Sequence, residues 1–166
     1  MTASELFGGR PVGQVGIVVR DLARAFEQYG GRWGLGPWKG YVYGPETVPR
    51  LTYRGEPGRY SMRIALAGAS PQVELIEPLQ GPSIYEEWLE AGRGGLHHVA
   101  VYWESLDDAI ATVRDAGYDV LQSGQGYGLD GDGGYAYFDT ERDFDVIVEA
   151  IEVPKRRREP DFVWPT

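Results

Sequence analysis

Cysteine is absent from this chain of 166 residues. That excludes disulfides, thiolate nucleophiles and cysteine-ligated zinc, and it fits a cytoplasmic protein. Histidine is scarce, with only two copies that stand side by side at His97 and His98. Positive charge is in deficit, and the formal net charge of −9 argues against a general nucleic-acid binder, which needs a basic surface. No apolar run approaches the roughly 20 residues that cross a bilayer, so no membrane partner is expected. Met1 to Gly9 lacks the basic start and apolar block of a secretory signal. What remains is a soluble globular balance, 42% hydrophobic and 25% charged.

The hydrophobic pattern repeats. Gln14 to Val19 reads as a Val/Ile-rich strand. Asp21 is an N-cap for a helix striped by Leu22, Ala25, Phe26 and Tyr29, and Gly30-Gly31 stops that helix. Strands follow at Trp38 to Tyr43, Arg59 to Leu66 and Gln72 to Glu77, with a loop at Gly44 to Arg50. The second half runs strand His97 to Trp103, helix Ser105 to Ala116, then strands Tyr118 to Gln122, Tyr135 to Asp139 and Asp145 to Val153. In register, Val15 matches Val99, Leu22 matches Leu106 and Ala25 matches Ala109. Val73-Glu-Leu-Ile-Glu likewise matches Val148-Glu-Ala-Ile-Glu.

The expected fold class is therefore α+β, with two tandem βαβββ modules. A curved mixed sheet would surround a metal-binding cleft. The expected organisation is an N-terminal arm at 1–11, modules at 12–80 and 95–153, a linker at 81–94 and a tail at 154–166. Pro82 to Leu89 in the linker reads as a short helix covering an open edge or face. The tail's Lys155-Arg-Arg-Arg158 reads as a solvated or subunit-packing extension. The Gly-rich stretch from Gly124 to Gly134 lacks the features of a phosphate loop or calcium loop and reads as a mobile hairpin that could serve as a lid.

Repeated modules pack about a pseudo-twofold axis, which brings equivalent positions together. The repeat pairs Gln14 with His98 and Glu74 with Glu149, an N/O donor set suited to a divalent metal such as Zn, Ni, Co, Mn or Fe. A carboxylate in an apolar strand is costly without a compensating partner. Strand alternation turns Glu77 and Glu152 away from any site that Glu74 and Glu149 share. It also turns His98 inward and His97 to the outer face. Tyr135 and Tyr137 share parity, so both or neither look toward the cleft. Trp38, Tyr60, Met62, Arg63, Tyr102 and Tyr137 are candidate substrate-binding residues.

The repeat, with Val15-Gly-Ile-Val-Val-Arg-Asp21, Val73-Glu-Leu-Ile-Glu-Pro78 and Gly95-Leu-His-His-Val-Ala100, resembles the vicinal oxygen chelate superfamily. The likeness is nearest in flavour to methylmalonyl-CoA epimerase and glyoxalase I. The resemblance implies that Gln14, Glu74, His98 and Glu149 are metal ligands. It also implies a lyase, isomerase or epimerase that removes a proton beside a carbonyl and stabilises an enolate, with Glu149 as base and Glu74 second. Alternatives are a non-catalytic binder of antibiotic-like small molecules and an extradiol-type dioxygenase, which Gln14 disfavours by replacing a histidine. A small-molecule substrate and a homodimer are the expected partners. The cleft could lie within one chain or be shared across the dimer.

Overall fold

A computed structural model describes residues 6–166, so residues 1–5 of the expected arm lie outside the described residues. Among the described residues, eleven strands form one mixed sheet. The first module supplies β1 (Gln14–Val18), β2 (Trp38–Tyr43), β3 (Arg50–Tyr53), β4 (Glu56–Pro57), β5 (Ser61–Ala67) and β6 (Gln72–Gln80). The second supplies β7 (Gly95–Trp103), β8 (Val120–Gln125), β9 (Gly134–Phe138) and β10 (Ile147–Glu152), and the tail adds β11 (Phe162–Trp164). Their order is β11-β2-β5-β6-β1-β7-β10-β9-β8-β3-β4.

The two modules join at the antiparallel β1–β7 pair. On either side of it, β1 runs parallel to β6 and β7 runs parallel to β10. This arrangement lines up the four strands that carry Gln14, Glu74, His98 and Glu149 at the centre of the sheet. One chain supplies all four.

Two short helices cover the outer face. The helix α1 (Leu22–Ala25) continues as π-helical turns over Phe26–Arg32, so winding passes through Gly30-Gly31 rather than ending there. Leu22, Ala25 and Phe26 pack on Trp38, Ala65, Ala67 and Leu75. After the linker helix α2 (Ile84–Glu90), α3 (Leu106–Asp115) buries Leu106, Ala109 and Val113 against Ala136, Phe138 and Ala150. The last helix, α4 (Glu141–Phe144), is a single turn. No helix among the described residues is long and apolar enough to cross a membrane.

Helix starts follow local chemistry. Asp21, Ser83 and Ser105 are N-caps whose side chains accept from the backbone N–H of Arg24, Glu86 and Asp108. Glu77 and Glu152 do point away from the cleft, and each takes an equivalent task. Glu77 Oε2 accepts from Leu22 N at 2.6 Å, and Glu152 Oε2 accepts from Leu106 N at 2.9 Å. Each carboxylate thus satisfies an orphan donor at the start of its own module's helix.

Three segments depart from the sequence reading. The expected loop at Gly44 to Arg50 leads into a hairpin, β3–β4, whose turn places Arg54 and Gly55 at positive φ. Strand β3 pairs with β8 of the other module. The tail, whose basic cluster Lys155 to Arg158 reads as a solvated or subunit-packing extension, returns to the first module, where β11 pairs antiparallel with β2. Trp164 stacks on Phe26 with ring centroids 5.3 Å apart, and Phe162 lies over the side-chain-free face of Gly40. The Gly124 to Gly134 hairpin is tied to that tail, with Leu129 N donating to Arg156 O at 2.9 Å.

Candidate metal centre and cleft

The four central strands carry their polar side chains onto the inner face. Glu74 is followed on that face by Ile76, while Glu149 lies between Ile147 and Ile151. Gln14 is 5% exposed, Glu74 7%, His98 0% and Glu149 3%. His98 Nε2 lies 3.0 Å from Glu149 Oε2 and 3.4 Å from Glu74 Oε2. Potential ligand atoms of this trio all fall within 4.8 Å of one another.

Four atoms here are buried, Gln14 Oε1, Glu74 Oε2, His98 Nε2 and Glu149 Oε2, and none has a hydrogen-bond partner beyond the contacts of His98 Nε2 with the two glutamates. Leaving such groups unsatisfied is expensive, and a cation shared among them removes the cost. Gln14 and both glutamates line one cavity of about 450 Å³. Gln72, the register partner of Gln14, accepts from Gln14 Nε2 at 2.9 Å. That bond leaves the amide oxygen as the free donor atom. Sequence reasoning missed Gln72, although it stands two residues before Glu74 and so shares its face.

Gly16 makes room for the imidazole. It is the register partner of both Glu74 on β6 and His98 on β7, and a Cβ there would collide with the His98 ring. His97 does not take the outer position that strict alternation assigns. The β1–β7 register slips between Gly16 and Ile17, with Gly16 opposite His98 and Ile17 opposite Leu96. His97 is the extra residue of that bulge, so both imidazoles lie on the inner side. His97 packs edge-on to Trp88 at 4.7 Å, beneath α2.

The two imidazoles are bonded through their Nδ1 atoms at 3.0 Å. Burial, then the neighbouring His98 and Arg93, lower His97 to about 2, which keeps it neutral and able to accept. His98 then donates through Nδ1 and presents Nε2 to the glutamates. Burial opposes charge on His98, yet Glu149 and Glu74 outweigh it, raising it to about 9 when no cation lies between them. Burial is also the main cause of a raised Glu149, with His98 opposing it.

The substrate candidates separate into three groups. Met62, Tyr102 and Tyr137 line the cavity. Tyr60 lies behind it, hydrogen-bonded to the Tyr135 hydroxyl at 2.8 Å and to Ser123 O at 2.8 Å. Trp38 is fully buried on the outer face, where it packs on Phe26 and donates to Leu35 O. Arg63 also faces outward, 3.6 Å from Glu77, because it alternates with the inward Met62 and Ile64. Trp38 and Arg63 are therefore not cleft residues.

Tyr135 and Tyr137 both face the cleft, joined by Tyr41, Tyr43, Tyr85, Tyr127 and the tail residue Arg157. Alternation in β2 could have found Tyr41 and Tyr43. Nothing local in the sequence marks Tyr127 or Arg157, which arrive through the hairpin and tail. Burial pushes the Tyr43 phenol up to about 12, and drives Tyr85, Tyr135 and Tyr137 well above their ordinary value. These hydroxyls are neutral donors at physiological pH.

No curated protein matches this chain by sequence. Solved structures share its fold. Methylmalonyl-CoA epimerase from Mycobacterium tuberculosis superposes with a TM-score of 0.64 at 21% identity, covering 93% of this chain and 95% of its own. A hypothetical protein from Bacillus halodurans C-125 gives 0.64 at 19% identity, covering 90% and 99%. A Streptomyces coelicolor methylmalonyl-CoA epimerase variant in complex with 2-nitronate-propionyl-CoA gives 0.58 at 24%, covering 86% and 95%. The family model for the Glyoxalase/Bleomycin resistance protein/Dioxygenase superfamily matches residues 13–138, a stretch that includes Gln14, Glu74 and His98, while Glu149 joins them through the fold. The chain belongs to this superfamily, the vicinal oxygen chelate proteins.

Proposed function

We propose that this chain is a divalent-metal-dependent isomerase, epimerase or lyase that removes a proton from a carbon beside a carbonyl. The observation that carries the reading is the buried group of Glu74, His98 and Glu149, its ligand atoms within 4.8 Å of one another, with both glutamates and Gln14 lining a cavity large enough for a small substrate. Gln14, Glu74, His98 and Glu149 would hold the ion, and their mixed O/N character suits Zn, Ni, Co, Mn or Fe. When bound, a divalent cation supplies Lewis-acid stabilisation of charge developing on a substrate oxygen.

The chain's own groups do the rest. Glu149 is the proposed base, because burial raises its proton affinity and its side chain lines the cavity. Glu74 is the second carboxylate at the same face. The ring of neutral tyrosines excludes water and offers hydroxyl donors to substrate oxygen. A facial iron triad uses two imidazoles, and the group of Glu74, His98 and Glu149 holds one, which disfavours the dioxygenase reading.

Methylmalonyl-CoA, bound by one epimerase of the same fold, is the first carbon acid to test. Incubation in D2O with protein purified without chelators should exchange its α-proton, and Glu149→Gln should lower that exchange at least about a hundredfold. Absence of exchange from this thioester and from a panel of carbonyl carbon acids, by metal-loaded protein, would favour a binding protein instead.

A further inference from the structure

Residues 154–161 cross from the end of β10 to β2 on the far side of the sheet, passing over the cleft. Three arginines stand in a row on this strap, and their pairings differ. Arg156 is paired with Asp130 of the Gly-rich hairpin, and Arg158 lies 2.7 Å from Asp161 and donates to Val42 O at 2.7 Å. Further backbone ties hold the strap, with Lys155 N donating to Asp132 Oδ2 at 2.8 Å and Leu129 N donating to Arg156 O. Arg157 has no carboxylate partner among the described residues. Instead it lines the cavity that holds Glu74 and Glu149.

Its guanidinium carbon lies 5.2 Å from the Tyr41 ring centroid and 5.6 Å from that of Tyr127. These faces hold the cation laterally without neutralising it. A half-buried guanidinium is normally matched by a carboxylate or phosphate, since its planar fork loses hydration that only a similar acceptor restores. The nearby glutamates are the atoms assigned to a metal. With a divalent ion between Glu74 and Glu149, those three charges cancel, and the cavity keeps the positive charge of Arg157 together with that of Lys39, which is exposed at its wall.

We infer that Arg157 is a specificity-determining residue that receives a carboxylate of the substrate, so that the cleft prefers substrates carrying a carboxylate beside a flat or apolar portion. The anion would bind beneath the strap, its body against the aromatic wall of Tyr41, Tyr43 and Tyr127, with its opposite end toward the donor group. The strap lies beyond residues 13–138 that the family model matches. The inference rests on the cleft being the reaction site proposed above.

The test uses the purified full-length chain with hydrocinnamate and hydrocinnamide, two aryl probes that differ in one charge. Wild type should bind the carboxylate about tenfold more tightly than the amide, the yield of one charge-assisted fork. Arg157→Gln should bring that ratio close to one, and Arg157→Lys should retain part of it. Arg114→Gln, on the exposed side of α3, should leave it unchanged. Metal content and thermal unfolding of each variant show that the fold and donor group persist. Equal binding of the two probes by wild type, an unchanged ratio in Arg157→Gln, or no saturable binding of either probe at millimolar concentration would each overturn the proposal. Failure of the proton-abstraction reading appears separately, as absent deuterium exchange with the charge preference intact.

Discussion

At the scale of single residues, the site depends on what stands beside His98 as much as on His98 itself. Gly16→Ala would force a methyl group into the imidazole. The protein should remain folded and lose bound metal, seen as normal far-ultraviolet circular dichroism with a reduced metal content. His97 acts as a positioning residue, because its neutral Nδ1 holds the tautomer of His98. His97→Ala should weaken metal affinity by about ten- to a hundredfold, with partial recovery in His97→Gln. Recovery is the informative result, since loss of packing under Trp88 alone would not be repaired by an acceptor.

The same imidazole sets a pH dependence in metal-free protein. His98 is raised to about 9 in the fold, above its ordinary 6.5. Its protonation therefore stabilises the native state fully below about 6.5, and the benefit is lost as pH rises through about 9. The Tm of chelator-treated protein should fall across that window. Added divalent metal should flatten the trend, because the ion replaces the proton between Glu74 and Glu149.

At the scale of elements, the two modules use matching devices. Glu77→Gln and Glu152→Gln each weaken the hydrogen bond at a helix start, so each should lower stability by about 1 kcal/mol while leaving metal content intact. Denaturant unfolding beside metal analysis checks both halves of that expectation. Alternation along β6 and β10 separates Glu74 and Glu149 from Glu77 and Glu152 on sequence alone. It fails at His97, where one inserted residue shifts the register and puts neighbouring side chains on one face. At Trp38 and Arg63 alternation is the better guide than side-chain chemistry. Both alternate with inward residues, so their parity sends them outward although an aromatic ring and a guanidinium would each suit a binding cleft.

Across the whole molecule, local periodicity describes each module but not the exchanges between them. Strand β3 of the first module extends the second through β8, and β11 from the chain end extends the first through β2. Such pairings set residues far apart in the chain side by side, Leu51 with Gly124 and Phe162 with Gly40, and no local pattern encodes them. Truncation after Val153 would remove the stacking of Trp164 on Phe26, the ring of Phe162 over Gly40 and the strap that carries Arg157. A lowered Tm together with a lost preference for carboxylate over amide is the expected outcome. All four donor residues come from one chain, so their capacity for metal should not depend on protein concentration.

The most direct measurement is the metal content of protein purified without chelators, compared with His98→Ala. One divalent ion per chain, lost in the variant while the fold persists, is the expected result. A metal-free wild type that takes up no divalent ion on reconstitution, or an equal content in His98→Ala, would contradict the assignment of Gln14, Glu74, His98 and Glu149 as a metal centre.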